Sequence, residues 1–340
     1  MQRVGIGWGL AEGRGEPAPN LDLNIGRRCN LRCVFCVDGD ATSAQRRWVP
    51  LEKAQRELRV GFEQGCRSLA LLGGEATVYP HLFPVLEHAR DLGYGQISIV
   101  TNGTRLGDPR LLDRLIGSGV TRFAISIHSH RPDLEAWITG AAGAFERKVA
   151  GIRGVVARLA DGRVRGNVSL NPVLCSANIP HMLAMMWAFA GLGVNDIRFN
   201  LIHPTGRALG SRELTPPLRL AGHHAWRAIQ ENERRLRIRL TFSDLPLCAW
   251  PAEFLSNRSL RRRYLGERHD RRTRAAVWSA PLEEDEKLER FCWVEHRQSA
   301  LKTKLEVCGR CRLEPACEGV WKLYLAIHGP GEISPAGATE

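Results

Sequence analysis

No stretch of this 340-residue chain approaches the roughly 18 uncharged apolar residues that a membrane-spanning helix needs. The N-terminus, Met1-Gln2-Arg3-Val4-Gly5, lacks the apolar core of a secretory signal. There is no aromatic-interleaved basic patch of the kind that tracks a nucleic-acid strand. Acidic residues are in deficit, 36 Asp and Glu against 48 Lys and Arg, which leaves a formal net charge of +12. These absences argue against a membrane protein and place nucleic-acid binding low. The charge suits an anionic partner such as an acidic peptide or a carboxylated small molecule. Most basic residues are dispersed, and the densest run, Arg258 to Arg274, also reads as a solvated helix face. At 44% hydrophobic content the length allows one large domain with an appendage and an ample core.

What the chain does have is cysteine. Ten cysteines without a secretion signal point to a reducing cytoplasm and to metal ligation more than to disulfides. Three fall within eight residues, Cys29-Asn30-Leu31-Arg32-Cys33-Val34-Phe35-Cys36. Thiolates at this spacing can cap three corners of a four-iron, four-sulfur cube and leave the fourth iron open to an outside ligand. The alternatives are a zinc knuckle or unrelated buried thiols. Zinc needs a fourth Cys or His close by, and the nearest later candidates, Cys66 and His81, fall inside one helix-like stretch and at the start of another.

Short apolar runs alternate with helical stretches over the first two-thirds. Strands are expected at residues 21–27, 68–73, 96–101, 122–128, 167–174 and 196–203. Helices are expected at residues 51–64, 81–92, 109–116, 145–159 and 181–190. Asp108-Pro109 fits an N-cap followed by proline, and Gly93 fits a helix stop. Six β–α repeats imply an α/β fold with a parallel sheet, with chemistry at the C-terminal ends of the strands. After Pro216-Pro217 a helix is expected over residues 218–236 and a strand over 237–242. The expected domains are a barrel over residues 1–215, a C-terminal module over 216–328 and a mobile tail over 329–340.

The cysteine loop, with an aromatic (Phe35) just before its third cysteine, resembles the signature of the radical S-adenosylmethionine (SAM) superfamily. The resemblance implies a partial (β/α)6 TIM-like barrel whose open iron binds SAM. Reductive cleavage of SAM then yields a 5′-deoxyadenosyl radical. Gly73-Gly74-Glu75, one β/α unit later, resembles the family's GGE motif, in which the carboxylate is expected to contact the SAM ammonium. Thr101-Asn102 resembles the pattern at the third strand's edge, and Ser126 and Arg147 stand where related peptide-modifying enzymes hold the SAM carboxylate and ribose. Strand alternation would aim Ser126 and His128 the same way. Asn171 supplies a further polar group toward the cofactor, and His128, His203 and Cys175 are the candidates for catalysis. Packing remains the default for Cys175, as does a structural histidine for the other two.

A second cluster, Cys308-x2-Cys311-x5-Cys317, resembles the auxiliary iron–sulfur modules called SPASM or twitch domains. A full SPASM module has another cysteine where Trp321 stands here, so one auxiliary [4Fe-4S] cluster is expected, with zinc as the alternative. Its fourth ligand is Cys248 or Cys292. Pro246 fixes an extended turn before Cys248, and a Pro-x-Cys loop also looks like the arrangement in related proteins, so Cys248 is favoured.

The expected protein is a radical SAM enzyme with a flavodoxin or ferredoxin as reductant. Substrate classes left open are a ribosomally made peptide, which is slightly favoured, a sugar or nucleoside in natural-product biosynthesis, and RNA as a third. Only about twenty residues precede the barrel, an expectation against a leader-recognition domain upstream. A pure electron-transfer protein fits poorly, because GGE and the open-iron spacing would then have no use.

Overall fold

The computed structural model describes residues 19–162, 166–266, 273–278 and 288–335. The first 18 residues of the expected barrel domain and the last five of the expected tail lie outside them. One sheet organises the chain. Its strands are β1 (Asn20–Asn24), β2 (Ser68–Leu72), β3 (Gln96–Thr101), β4 (Val120–Ile125), β5 (Asn167–Leu170), β6 (Val173–Leu174), β7 (Asp196–Leu201), β8 (Arg239–Ser243), β9 (Thr273–Trp278) and β10 (Leu288–Cys292). The order is β10-β9-β1-β2-β3-β4-β5-β7, with β6 and β8 also paired to β7. Among the described residues every strand pairing within this sheet is parallel except β9 with β10.

Parallel strands need crossovers, and helices supply them: α1 (Leu51–Glu63), α2 (Leu82–Leu92), α3 (Pro109–Gly117), α4 (Pro132–Thr139), α5 (Ala144–Ala160), α6 (Met182–Gly191) and α7 (Leu218–Glu231). Helix α1 buries Ala54, Leu58 and Gly61 at helical spacing. Opposite it, β1 buries Leu21 and Leu23 while Asn20, Asp22 and Asn24 stay half-buried. Each fully buried leucine stabilises the fold by about 1.5–3 kcal/mol. Asp108 caps α3 by accepting from the Arg110 and Leu111 N–H groups, and Gly93 ends α2 with φ +96°. Both are as the sequence predicts.

The structure departs from expectation in several places. β4 stops at Ile125, so alternation does not carry to residue 128, and Ser126 and His128 do not share a strand face. Residues 167–174 are two strands, because Pro172 has no N–H to offer a continuing ladder. Helix α4 was not foreseen. Helix α7 is α-helical only to Glu231, followed by a π turn over residues 232–236 in which the Asn232 side chain bonds both the N–H and the carbonyl of Ile238. The expected boundary at 215/216 is no break in the sheet, since β8 lies parallel to β7 and β9 lies parallel to β1. Part of the expected loose tail is docked, with Glu332 accepting from Leu218 N at 3.0 Å and from the Tyr324 hydroxyl.

Candidate active site

The loops leaving the C-terminal ends of the strands carry the residues that the sequence singles out. Cys29, Cys33 and Cys36 follow β1, Gly73 to Glu75 follow β2, and Asn102 follows β3, which ends in Thr101. Ser126 follows β4, Asn171 follows β5 and His203 follows β7, and Asp244, which the sequence does not mark, follows β8.

The cysteine loop is held from three sides. Arg32 N and Val34 N donate to Thr139 O and Ile138 O, both at 2.9 Å, so the residues flanking Cys33 are strapped to the last turn of α4. Gly74 lies so close that a Cβ there would collide with the Arg28 carbonyl oxygen, and Glu75 N donates to that same oxygen at 2.8 Å. Gly73 and Gly74 both have positive φ, +94° and +52°, which glycine adopts at no steric cost. On the third side the loop after β7 closes down. Arg207 N donates to Cys36 O at 3.0 Å, and the Arg207 guanidinium donates to Cys33 O at 2.7 Å. Asn102 adds a tie, its Nδ2 donating to Asn30 Oδ1 at 2.7 Å. Phe35 is buried, its ring edge-on to His128 at 4.9 Å, in a small apolar cluster with Ile138, Cys175 and Ile202.

Burial pushes the Cys29, Cys33 and Cys36 thiols up, Cys33 to about 12. Thiolates are the metal-binding form, so iron itself would hold these sulfurs ionised. Three thiols on a short loop, with backbone pressed in beneath them, fit a cube that keeps one iron open.

Glu75 is 1% exposed, and its carboxylate already accepts four hydrogen bonds. They come from Thr77 N at 3.0 Å, Thr77 Oγ1 at 2.6 Å, Thr101 Oγ1 at 2.5 Å and Asn102 N at 2.6 Å. The side chain therefore ties the ends of β2 and β3 together. Arg147 is exposed on the first turn of α5, with Nη2 bonded to Ala142 O at 3.3 Å, and among the described residues no hydrogen bond joins it to Ser126. Asn171 donates its backbone N–H to Ile125 O, while its Oδ1 is buried without a partner.

Of the three catalytic candidates, two are locked into the protein. His128 is 3% exposed; burial, then the charge of Lys148, hold its pKa well below the usual range, and its Nδ1 accepts from Val173 N at 3.2 Å. Cys175 is fully buried and its thiol pushed up by burial. His203 is different. Its side chain is 24% exposed, and Nε2 lies 2.8 Å from Asp244 Oδ2, leaving Nδ1 as the ring nitrogen available to a ligand. Asp244 sits at φ +68°, a strained setting for a non-glycine residue. The carboxyl of Asp244 is buried, yet held below its ordinary value by His203, Lys302 and Arg297. Trp321 packs against the His203 ring, the two planes tilted by 40° and their centroids 4.0 Å apart. Sequence reasoning named His203 but missed Asp244 and Arg207, because nothing local marks a lone Asp or Arg as belonging to a partner far along the chain.

The C-terminal cysteines converge on one cavity, lined by Cys248, Cys308, Cys311 and Cys317. Burial, then the neighbouring Cys317 and Cys308, push the Cys248 thiol up to about 11. Cys292 lines a different cleft, with Glu57, Arg274 and Arg290. Among the described residues no three Cys, His, Asp or Glu side chains converge at single-ion spacing.

Residues 23–161 match the model of the radical SAM superfamily. The chain carries a radical SAM domain. Domains of this kind bind a [4Fe-4S] cluster and SAM. The probable GTP 3′,8-cyclase of Saccharolobus solfataricus is 31% identical over 193 residues, 56% of this chain and 59% of that protein. The chain thus spans less than two-thirds of the length of such curated relatives. Among solved structures, SuiB of Streptococcus suis bound to SAM superposes with a TM-score of 0.64 at 16% identity, covering 94% of this chain and 77% of SuiB. SuiB has also been solved with the precursor peptide SuiA, with a TM-score of 0.61 at 16% identity over 94% of this chain and 74% of that one. The structure of anSMEcpe with SAM and the Cp18Cys peptide matches at 0.62 and 14% identity, covering 94% and 93% of the two chains. At these identities the likeness is one of fold, and it bears out the α/β partial-barrel expectation. Among the described residues no helix is long and apolar enough to cross a membrane.

Proposed function

We propose that this chain is a radical SAM enzyme that modifies a ribosomally made peptide. A SAM-bound cluster at Cys29, Cys33 and Cys36 would supply a hydrogen-abstracting carbon radical. The protein's part is to hold, orient and shield. The glycine pair and Glu75 fix the backbone under the cysteine loop, Asn102 ties the loop to β3, and Arg207 covers its outer side. Thr101 and Phe35 act as supports in this reading, while Ser126, Arg147 and Asn171 remain the candidates for contact with SAM. Cys248, Cys308, Cys311 and Cys317 would hold an auxiliary cluster that no open iron need complete.

His203 is the group we assign to proton transfer at the substrate. Asp244 orients it through Nε2, the pattern by which a carboxylate sets a histidine's tautomer. The observation that supports the peptide reading is the likeness of fold, over 94% of this chain, to two structures solved with peptides. The nucleotide alternative draws on sequence relatives named GTP 3′,8-cyclase, whose match covers 56% of this chain. An RNA substrate has no such support. Expected reductants are a flavodoxin or ferredoxin.

Anaerobically reconstituted protein with SAM and dithionite should release 5′-deoxyadenosine. With a precursor peptide from a neighbouring gene it should change the peptide's mass, and His203→Gln should lower the yield of altered peptide per 5′-deoxyadenosine released. No mass change with the peptide, together with turnover of GTP, would hand the function to the nucleotide reading.

A further inference from the structure

Beneath the cysteine loop lies an ion pair that none of the roles above uses. Lys148 on α5 donates to Glu135 on α4 at 2.6 Å, and both side chains are completely buried. Glu135 also accepts from the His128 and Ser129 N–H groups at 2.8 and 2.7 Å. One turn further along the same helix, Ile138 O and Thr139 O receive the N–H groups on either side of Cys33. Leu134 and Ile138 pack against Cys33, Val34 and Phe35 in one apolar cluster. The ion pair therefore sits in the dry layer directly supporting the deepest cysteine.

Stability alone does not account for Lys148. A buried ion pair loses hydration worth several kcal/mol per ion, and apolar residues of similar volume often replace such pairs without loss. Two of the bonds Glu135 accepts could be kept by a glutamine. What apolar side chains could not supply is a permanent positive charge in a low-dielectric layer, where a charge acts strongly on its neighbours. The charge is asymmetric, because two backbone N–H dipoles, from His128 and Ser129, offset part of the Glu135 carboxylate, while the Lys148 ammonium donates to that carboxylate alone among the described residues.

We propose that Lys148, clamped by Glu135, is a positioning residue that keeps a fixed cation under Cys33 and so raises the reduction potential of the iron–sulfur site on that loop. Reduction adds one negative charge to the cluster, and a nearby cation stabilises the reduced form over the oxidised one. Charge near a cluster is a recognised determinant of its potential. The inference rests on the cluster assignment proposed above, but its test can fail separately.

The test is an anaerobic dithionite titration of reconstituted full-length protein, followed by EPR. The signal that shifts on adding SAM identifies the cluster on the Cys29–Cys36 loop, and the auxiliary signal serves as an internal control. Lys148→Met should shift the midpoint of the first cluster negative, enough to change its reduced-to-oxidised ratio about tenfold at fixed potential, which is about 59 mV for one electron. Because Lys148→Met strands a buried carboxylate and can unfold the chain, the neutral pair Lys148→Met/Glu135→Gln is titrated alongside. It should keep full iron and still shift negative, while Lys148→Arg should restore the wild-type midpoint and the auxiliary midpoint should not move. An unchanged midpoint in iron-replete variants overturns the proposal. So does loss of iron in the neutral pair, which would make the ion pair purely structural. If the wild type shows no SAM-responsive cluster, it is the functional reading that falls.

Discussion

The backbone N–H of Arg207 donates to the carbonyl oxygen of Cys36 at 3.0 Å, joining the loop after β7 to the loop after β1. These are opposite flanks of the six-strand core, so one hydrogen bond and one guanidinium close the rim over the cysteines. His203 lies on that same β7 loop, and Asp244 and Trp321 reach it from segments that also hold auxiliary cysteines, Cys248 and Cys317.

Arg207→Ala removes the bonds to Cys33 O and Gly39 O but leaves the backbone bond. Its guanidinium is exposed, so global stability should fall by no more than about 1.5 kcal/mol. Iron loss to a chelator should accelerate several-fold. Equal loss rates in variant and wild type would show that the cover is not protective.

Replacing Cys29, Cys33 and Cys36 together with Ala should leave about half the iron and abolish 5′-deoxyadenosine release. Iron assay and chromatography of the nucleoside check it. Persisting release would sink the cluster assignment.

For the auxiliary site, Cys248→Ala should degrade the second cluster, whereas Cys292→Ala keeps full iron. The structure gathers Cys248, not Cys292, with the other three thiols. The reverse outcome would mean the C-terminal loops rearrange around the metal.

Glu75→Ala strands four buried donors at about 1–3 kcal/mol for each unsatisfied group. Urea unfolding of the metal-free protein should show a loss of at least about 3 kcal/mol. A loss under about 1 kcal/mol combined with weakened SAM binding would restore Glu75 as a ligand.

Glu318 yields a pH prediction. Burial alone would raise its carboxyl, but hydrogen bonds and charge from Arg297 and Lys302 hold it below the ordinary value of 4.5. A depressed folded value means its stabilisation is present above about pH 4.5 and is lost as pH falls through the lower folded value. The stability gap between wild type and Glu318→Gln should therefore narrow on acidification, as read by thermal unfolding at pH 6, 4 and 3. A constant gap would show that the pair adds nothing beyond packing.

Much of the fold was legible because its signals are local. β3 and α3 carry strong periodicity and explicit caps, and the cysteine spacings are short enough to be read directly. Long-range pairing was not. Arg239–Ser243 reads as a strand wherever it docks, and only the folded register against β7 shows that it extends the barrel sheet. Helix α4 is eight residues long, below the length at which spacing separates a helix from a loop. Glu135 and Lys148 each look like solvated charges in sequence; their partnership exists only once two helices pack. Ser126 and His128 misled because alternation was extended past the point where the strand ends. Glu75 was rightly placed beside the cysteines, but which hydrogen atoms its oxygens would meet depended on where β3 ends.

The neighbour of β1 at the far edge of the sheet has a kinetic consequence. Leu21 pairs with Arg274, so the strand that launches the cysteine loop has one unsatisfied edge until most of the chain has left the ribosome. Such distant pairing is slow and leaves an open strand edge in the nascent molecule. Arrival of β9 satisfies that edge, and the bidentate Arg290–Glu57 pair then ties β10 to α1 on the same flank.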